Sequence, residues 1–371
     1  MIYYLYIITA CVQFLKKKSH VIFIFSIVFL WVLMAFTYGN ADESIYISRY
    51  TDWKSWTENT EPLYNLLMVG FNTLGASFQT YKAIITAIQL ILISSTILKY
   101  SKYPNLVILL YSVFPFAIDV AQMRNALSAS IVIFSVRFLI DQDRRKTGKL
   151  LSKNDLYFIF CVFVATMVHA ASLIYISLLL VKKLNMKHLI ITVAIFDAFF
   201  AVFLKPSAIF WIASKLNVLS RIGAYASDAY ISTNDYYFYN TMIRTIIAFI
   251  LIIIVIYVAK KMKNVQLTEK QGLEFVEKCN VAILVILPIM TYYTIEVYRM
   301  QVALSIVNYI FLTNCLNNSS IPIKITKKNI VIISLLILMC SINLYLLIIR
   351  GNYETVLKPI FDNNYIFDLM Y

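Results

Sequence analysis

Glycine is scarce, at 7 of 371 residues, and proline is equally rare at 7. A loop that cradles phosphate needs glycines in close series, so the chain holds no nucleotide-binding domain of that kind. The 3 histidines are too few and too scattered for a metal cluster. The 5 cysteines lie apart, mostly inside apolar runs, and no pair has metal or redox spacing. They read as buried thiols. No zinc-protease helix and no nucleophile elbow occur. Charge is short as well, at 14% of residues, against about a quarter in an average soluble protein. That deficit excludes an ordinary soluble globule.

What fills the chain is hydrocarbon. It is 61% hydrophobic, with a mean hydropathy of +0.75, and its apolar runs follow one another with short gaps. Runs occur at 2–15, 20–38, 79–98, 104–118, 121–140, 155–181, 188–204, 240–259, 279–296, 299–315 and 329–349. This pattern predicts an all-α polytopic membrane protein, a single integral domain over residues 1–371. The net charge of +14 then belongs to the positive-inside rule rather than to nucleic acid, which is not an expected partner. The first run ends in "KKK" with no small-residue cleavage site, so a removable signal is not expected. Basic clusters at Lys16–Lys18, Lys99 with Lys102, Arg144–Lys153, Lys182–Lys187, Lys260–Lys263 and Lys324–Lys328 mark the cytoplasmic side.

The run at 155–181 is the exception. A single crossing would place Lys182, Lys183 and Lys187 outside and invert every later cluster. A hairpin of about twelve residues per arm, turning near His169 on the outer side, keeps them all inside. The expectation is about 12 transmembrane helices (range 10–12) with both termini outside. The outer face then carries the loops 39–78 and 205–239 and a tail, 350–371. Within the first loop, Glu61 to about Gly75 reads as an amphipathic or re-entrant helix. The cytoplasmic segment 260–278 reads as a short surface helix with one solvated face.

The residues able to do chemistry gather on the outer side. Arg124 sits about one turn inside its span, flanked by Gln122 and Asn125, and Arg299 heads another span on the same side. An arginine at membrane depth is costly, and two together suit a diphosphate or a carboxylate, which the guanidinium grips bidentately. Either could instead snorkel to headgroups or pair with Asp119 or Glu296. His169 could exchange a proton near neutral pH or serve as a satisfied buried imidazole. Asp42, Tyr46 and Tyr50 have i, i+4, i+8 spacing and share a helix face. Glu61 precedes Pro62 at a helix start, where a carboxylate is favoured. Carboxylates with aromatics suit sugars, and so does Tyr298 beside Arg299. The same aromatics also fit an interfacial belt, to which Trp53 and Trp56 are assigned. Asp197 is an acid within a span without an evident basic partner.

Taken in order, "ADESIYISRY", "EPLYNLL", "AQMRNALSASIVIFSVRFL", "VATMVHAASLIYISLLL" and "LPIMTYYTIEVYRMQVAL" resemble the EpsG-type family of Wzy-like exopolysaccharide and O-antigen polymerases, over roughly residues 1–315. The resemblance implies a multi-span glycosyltransferase of the GT-C-like kind, with a cavity facing outward from the bacterial cytoplasmic membrane. It implies a substrate of oligosaccharide linked to undecaprenyl diphosphate, as in capsule, exopolysaccharide or lipopolysaccharide synthesis. No metal and no cofactor is implied; a flippase and a chain-length regulator are implied partners. Carried onto this chain, the diphosphate-binding role falls on Arg124 and Arg299. The catalytic role falls on Asp42, Glu61 or His169; an acid of the first loop is favoured as the acceptor base, and His169 is expected to orient the donor or its diphosphate. Tyr46, Tyr50, Gln122, Asn125 and Tyr298 are the sugar-facing set. The sequence departs from the family's pattern at "MRNALS", where relatives often carry Gln after the Arg; the site is left intact. Two other readings compete: a transporter or flippase of an anionic or lipid-linked sugar, in which Asp197 would matter most, and a membrane O-acyltransferase of surface glycans.

Overall fold

A computed structural model describes residues 2–15, 18–54, 61–140, 151–203, 235–261, 266–292, 295–316 and 327–369. The outer loop 205–239, apart from its last residues, lies outside these, as do Trp56 and most of the Arg144–Lys153 cluster. Regular structure among the described residues is helical; β pairing is confined to an isolated bridge between Thr37 and Asn364. Among the described residues, five helices are long and apolar enough to cross a membrane: Phe78–Tyr100, Met123–Ile140, Met186–Phe203, Thr241–Lys261 and Asn329–Asp362. Ile2–Leu15, His20–Phe36 and Pro104–Val113 are shorter apolar helices. The chain is a polytopic, all-helical membrane protein.

In chain order, α1 (Ile2–Leu15) and α2 (His20–Phe36) lead to two short helices, α3 (Glu43–Thr51) and α4 (Pro62–Thr73). Then follow α5 (Phe78–Tyr100), α6 (Pro104–Val113), the single turn and a half of α7 (Phe116–Ala121), and α8 (Met123–Ser135), continued by α9 (Arg137–Ile140). The α4 helix begins at Pro62, whose fixed φ suits the first helical position. The chain leaves it through Gly75 at φ +75°, a conformation that glycine adopts without strain. These bounds are those expected from sequence.

The 155–181 run reverses at His169. α10 (Lys153–Val168) ends there, where the backbone swings to φ −148°, ψ 113°. A 3-10 arm, Ala170–Leu178, then returns and passes into α11 (Leu179–Lys183). The two ends meet, with Lys182 Nζ 2.9 Å from Asp155 Oδ1. The arms are longer than twelve residues, and their unequal windings match. Sixteen α residues rise about 24 Å. Nine 3-10 residues and five α residues rise about 25 Å.

After α12 (Met186–Phe203) and α13 (Asp235–Lys261), one expectation is corrected. The segment 260–278 does not hold a separate solvated helix: α14 (Leu267–Ala282) runs on through a 3-10 turn into α15 (Ile286–Tyr292), and it buries a face. Leu273 and Val276 are fully buried, three residues apart. Gly272 lets the Phe311 ring come so close that a Cβ there would stand 2.4 Å from it. Small residues at a crossing allow this approach.

A short 3-10 turn, Ile295–Tyr298, precedes α16 (Arg299–Ala303) and α17 (Ser305–Asn314). The long helix α18 (Lys327–Leu344) continues through two π-helical stretches as far as Asp362, and a single turn, Tyr365–Asp368, follows it. The tail from 350 onward is therefore largely helical, and it docks. Tyr38 N donates to Asn363 O at 3.1 Å, Ala41 N to Thr355 O at 2.9 Å, and Asn364 Nδ2 to Val32 O at 3.2 Å. These bonds tie the tail to the chain that leads from α2 into α3. A buried ion pair fixes α3 from its other side: Lys82 Nζ on α5 lies 2.8 Å from Glu43 Oε1, at 5% and 8% side-chain exposure. Lys82 also donates to the Thr37 carbonyl, and Glu43 accepts from Gly39 N. The helix that carries Tyr46, α3, is thus clamped to the bundle.

Candidate active site

Three breaks in the backbone converge under α3. One is the start of α4, where Glu61 occupies the N-cap. Its carbonyl accepts from Asn65 N at 3.0 Å, but its carboxylate makes no capping bond. The second is Gln122, at φ −115° and ψ 65°, which separates α7 from α8. There Gln89 Nε2 donates to Met123 O at 2.8 Å. The third is His169, whose N–H still bonds Ala165 O at 2.8 Å and whose carbonyl accepts from Ser172 N at 2.9 Å. Irregular backbone at membrane depth survives only where protein or a water-filled cavity surrounds it, and such breaks are where polar groups are presented to a ligand.

The side chains released by these breaks meet. Glu61 Oε1 lies 2.8 Å from His169 Nδ1, and Glu61 Oε2 accepts from the Arg124 guanidinium. One carboxylate therefore bridges an arginine and a histidine that lie on different helices. The glutamate side chain is 11% exposed, and Arg124 and His169 are each 23% exposed. The Arg124 guanidinium sits 5.7 Å from the Tyr46 ring centroid and 5.9 Å from that of Tyr64, within cation–π range. Tyr64, Tyr81 and Tyr50 continue the cluster from there, with Tyr50 and Tyr81 tilted at centroids 5.3 Å apart and Tyr64 edge-on to Tyr81 at 6.2 Å. Met68, Met123, Leu127 and Val168 close this aromatic cluster below, and Trp53 packs partly buried against it.

Burial raises the Glu61 carboxyl, but the His169 hydrogen bond and the Arg124 charge lower it by more, so it is held below the ordinary carboxylate range. A second cation stands close by. Burial and the like charge of Arg124 lower the pKa of Arg49 on α3, while Glu61 opposes both. Several polar atoms here are left with bonding capacity: Arg124 Nε, Gln122 Oε1, Asn125 Oδ1 and Ser172 Oγ are buried without a hydrogen-bond partner among the described residues. Such groups are costly to leave unmet.

The sequence candidates are distributed as follows. Glu61, Arg124, His169 and Tyr46 are in one cluster, with Gln122 and Asn125 flanking Arg124. Asp42 is the N-cap of α3, one turn before Tyr46, and makes no side-chain cap bond. Tyr50 is 3% exposed and donates to Ala76 O at 2.6 Å, which turns it inward. Arg299 opens α16, its guanidinium 6.0 Å from the Tyr298 ring. α16 packs against α8 and against the arm that follows His169, where Tyr175 donates to Met300 O at 3.1 Å. Asp197, on α12, has a buried Oδ1 without a partner among the described residues.

Sequence reasoning had offered Asp119 and Glu296 as partners for the arginines. Asp119 instead accepts from Tyr111 at 2.9 Å, and the carboxylate on Arg124 is Glu61, 63 residues away. It also missed Tyr64, Arg49 and the Lys82–Glu43 clamp. Tyr64 stood in a quoted motif, three residues after Glu61, and that spacing was the available signal.

The model of the EpsG family matches residues 20–358, a stretch that contains every residue of this cluster. No curated protein and no solved structure matches the chain.

Proposed function

The chain belongs to the EpsG family, a family of Wzy-like polymerases, and from that premise we propose that it joins oligosaccharide repeat units carried on undecaprenyl diphosphate. The observation that supports this reading is the Glu61 carboxylate held between Arg124 and His169 Nδ1, beneath a wall of tyrosines. In the reaction, a hydroxyl oxygen of the acceptor sugar bonds to the anomeric carbon of the donor. The bond from that carbon to the diphosphate oxygen breaks, and the lipid diphosphate leaves with the electron pair. The hydroxyl proton goes to a base.

His169 is that base in our reading. Its Nδ1–H donates to Glu61, which fixes the tautomer and leaves Nε2 as the acceptor of the proton. Glu61 acts through the imidazole and is a positioning residue; its lowered pKa makes it a weak base itself. This exchanges the roles that sequence reasoning favoured, in which an acid of the first loop took the proton. Arg124 turns one nitrogen to Glu61 and keeps its buried Nε for the leaving diphosphate, whose growing charge it stabilises in a water-poor setting. Arg299, on the adjoining helix, is the second cation of that site. Asp42 and Tyr46 meet the acceptor sugar, with Gln122 and Asn125 supplying further hydrogen bonds.

The wider proposal is a single integral domain of twelve crossings in a GT-C-like arrangement, both termini outside, in the bacterial cytoplasmic membrane. The site then faces outward, where a flippase delivers the lipid-linked unit and a chain-length regulator limits the product. The test is polymerisation by the purified protein in lipid nanodiscs, supplied with lipid-linked repeat units and read as glycan chain length. Arg124→Lys keeps the charge and loses the planar fork. It is expected to lower the rate strongly at a normal protein level, whereas full-length polymer from that variant would refute the diphosphate assignment.

A further inference from the structure

The helices α1, α6 and α18 enclose an apolar groove that shares no residue with the cluster around Glu61. It holds ≈ 240 Å³ and is lined by hydrocarbon side chains apart from Cys340 and Ser341. Leu106, Leu110 and Leu336 are its buried floor, and Phe14 and Ile337 stand exposed at its rim. An apolar cavity of about 150 Å³ already stays dry and takes up benzene, so this larger one calls for a hydrocarbon guest. α6 has ten residues and rises about 15 Å. That is half of the roughly 30 Å hydrocarbon thickness of a bilayer. The groove thus has the length of a single leaflet.

Its two ends differ. At one end Tyr6 of α1 donates to Ser112 O at 2.7 Å, and Tyr309 donates to Phe114 O at 3.0 Å while accepting from Cys340 Sγ at 3.2 Å. These contacts set the direction of α1 and α18 along α6, and they bring three basic segments to the other end. α1 stops directly before Lys16–Lys18, α6 starts two residues after Lys102, and α18 opens on Lys327 and Lys328. Asn105 Nδ2 donates to Ser19 O at 3.1 Å, which pins the turn after α1 to the start of α6. Lys102 is answered by Glu269 at 2.8 Å. Lys18 has the Tyr103 ring, 5.4 Å from its centroid, and no acidic partner among the described residues. No Asp or Glu occurs in residues 1–41, 62–118 or 317–353, the segments that carry these helices.

We propose that the groove holds one acyl chain of an anionic glycerophospholipid, with the headgroup phosphate on the basic end. A basic recess between membrane helices is the setting in which anionic headgroups bind. The positive-inside rule assigns this lipid to the cytoplasmic leaflet. One acyl chain matches the leaflet-long groove, whereas an undecaprenyl tail would overrun it. The proposal does not depend on the polymerase reading.

The experiment titrates the full-length protein, purified in detergent and stripped of endogenous lipid, with phosphatidylglycerol or phosphatidylcholine of the same acyl chains. Bound lipid is read by native mass spectrometry. One phosphatidylglycerol is expected to bind in preference to phosphatidylcholine. Lys18→Gln should weaken phosphatidylglycerol about fivefold, the effect of one lysine at an anionic surface, and leave phosphatidylcholine unchanged. Ile337→Trp fills the rim and should weaken both lipids about tenfold, the loss of about two buried methylenes. Ile337→Phe answers the same question if the Trp variant fails to accumulate. Lys187→Gln, an exposed lysine at the start of α12, should alter neither. Equal binding of the two lipids, or binding untouched by Lys18→Gln or by the Ile337 variants, overturns the proposal. Undecaprenyl phosphate binding more tightly than phosphatidylglycerol would assign the groove to a polyprenyl carrier and overturns it as well.

Discussion

Replacing Glu61 by Gln removes one charge and almost no volume, so its effect isolates what the carboxylate does. The carboxylate serves two donors, the Arg124 guanidinium and His169 Nδ1. A glutamine has a single carbonyl oxygen and must turn its NH2 toward one of them, either donor against donor at Arg124 or onto His169 Nδ1, which then moves the imidazole proton to Nε2. Arg124 also loses its counter-charge. Breaking a fully buried pair costs about 3–5 kcal/mol, and an exposed pair is worth about 0–1 kcal/mol. With side chains 11% and 23% exposed, the Glu61–Arg124 pair falls between, at about 2–3 kcal/mol. The rate should suffer more than the fold, because a misdirected imidazole forfeits general-base catalysis, about 10²–10⁴-fold. The assay pairs initial polymerisation rates with thermal unfolding in nanodiscs. The sign with pH follows from the lowered Glu61 pKa. Its stabilising charge is fully present above the unfolded carboxylate value of about 4.3, and it is lost only as pH falls through the lower folded value. The stability gap between the unaltered protein and Glu61→Gln should therefore stay constant across neutral and mildly acidic pH and close only below the ordinary carboxylate range. A normal rate and normal stability in Glu61→Gln would refute the bridging role.

Lys82→Met strands the Glu43 carboxylate in the interior and should destabilise the protein by about 3–5 kcal/mol, read as lost membrane accumulation and early unfolding. Adding Glu43→Leu should recover at least half of that loss; a double variant no better than the single one would show that the clamp is not an ion pair in effect. The hairpin is checked by single-cysteine labelling of intact cells on a cysteine-free background. Ala170→Cys should react with an impermeant thiol reagent and Lys183→Cys should not, and the opposite pattern would invert the chain from α10 onward.

Much of this protein was already set by its sequence, for reasons that act along the chain. Hydropathy alone made it a membrane protein, since runs such as Thr241–Lys261 have no other stable environment. Charge placement required a reversal within 155–181, and the Lys182–Asp155 contact at 2.9 Å is what that reversal brings together. Pro62 and Gly75 marked the ends of α4 through their own backbone preferences, and the spacing of Tyr46 and Tyr50 put them on one face of α3. Each of these rules operates within one element. The answer to why Arg124 is tolerated in its span does not lie within one. Asp119 was near in sequence, yet it faces Tyr111, and the carboxylate that answers Arg124 arrives from the cap of α4, a different helix. Lys82 finds Glu43 in the same way. Helical periodicity fixes which face a residue occupies, but which other helix that face meets is decided by packing. A pairing between distant elements thus exists only once the bundle has closed.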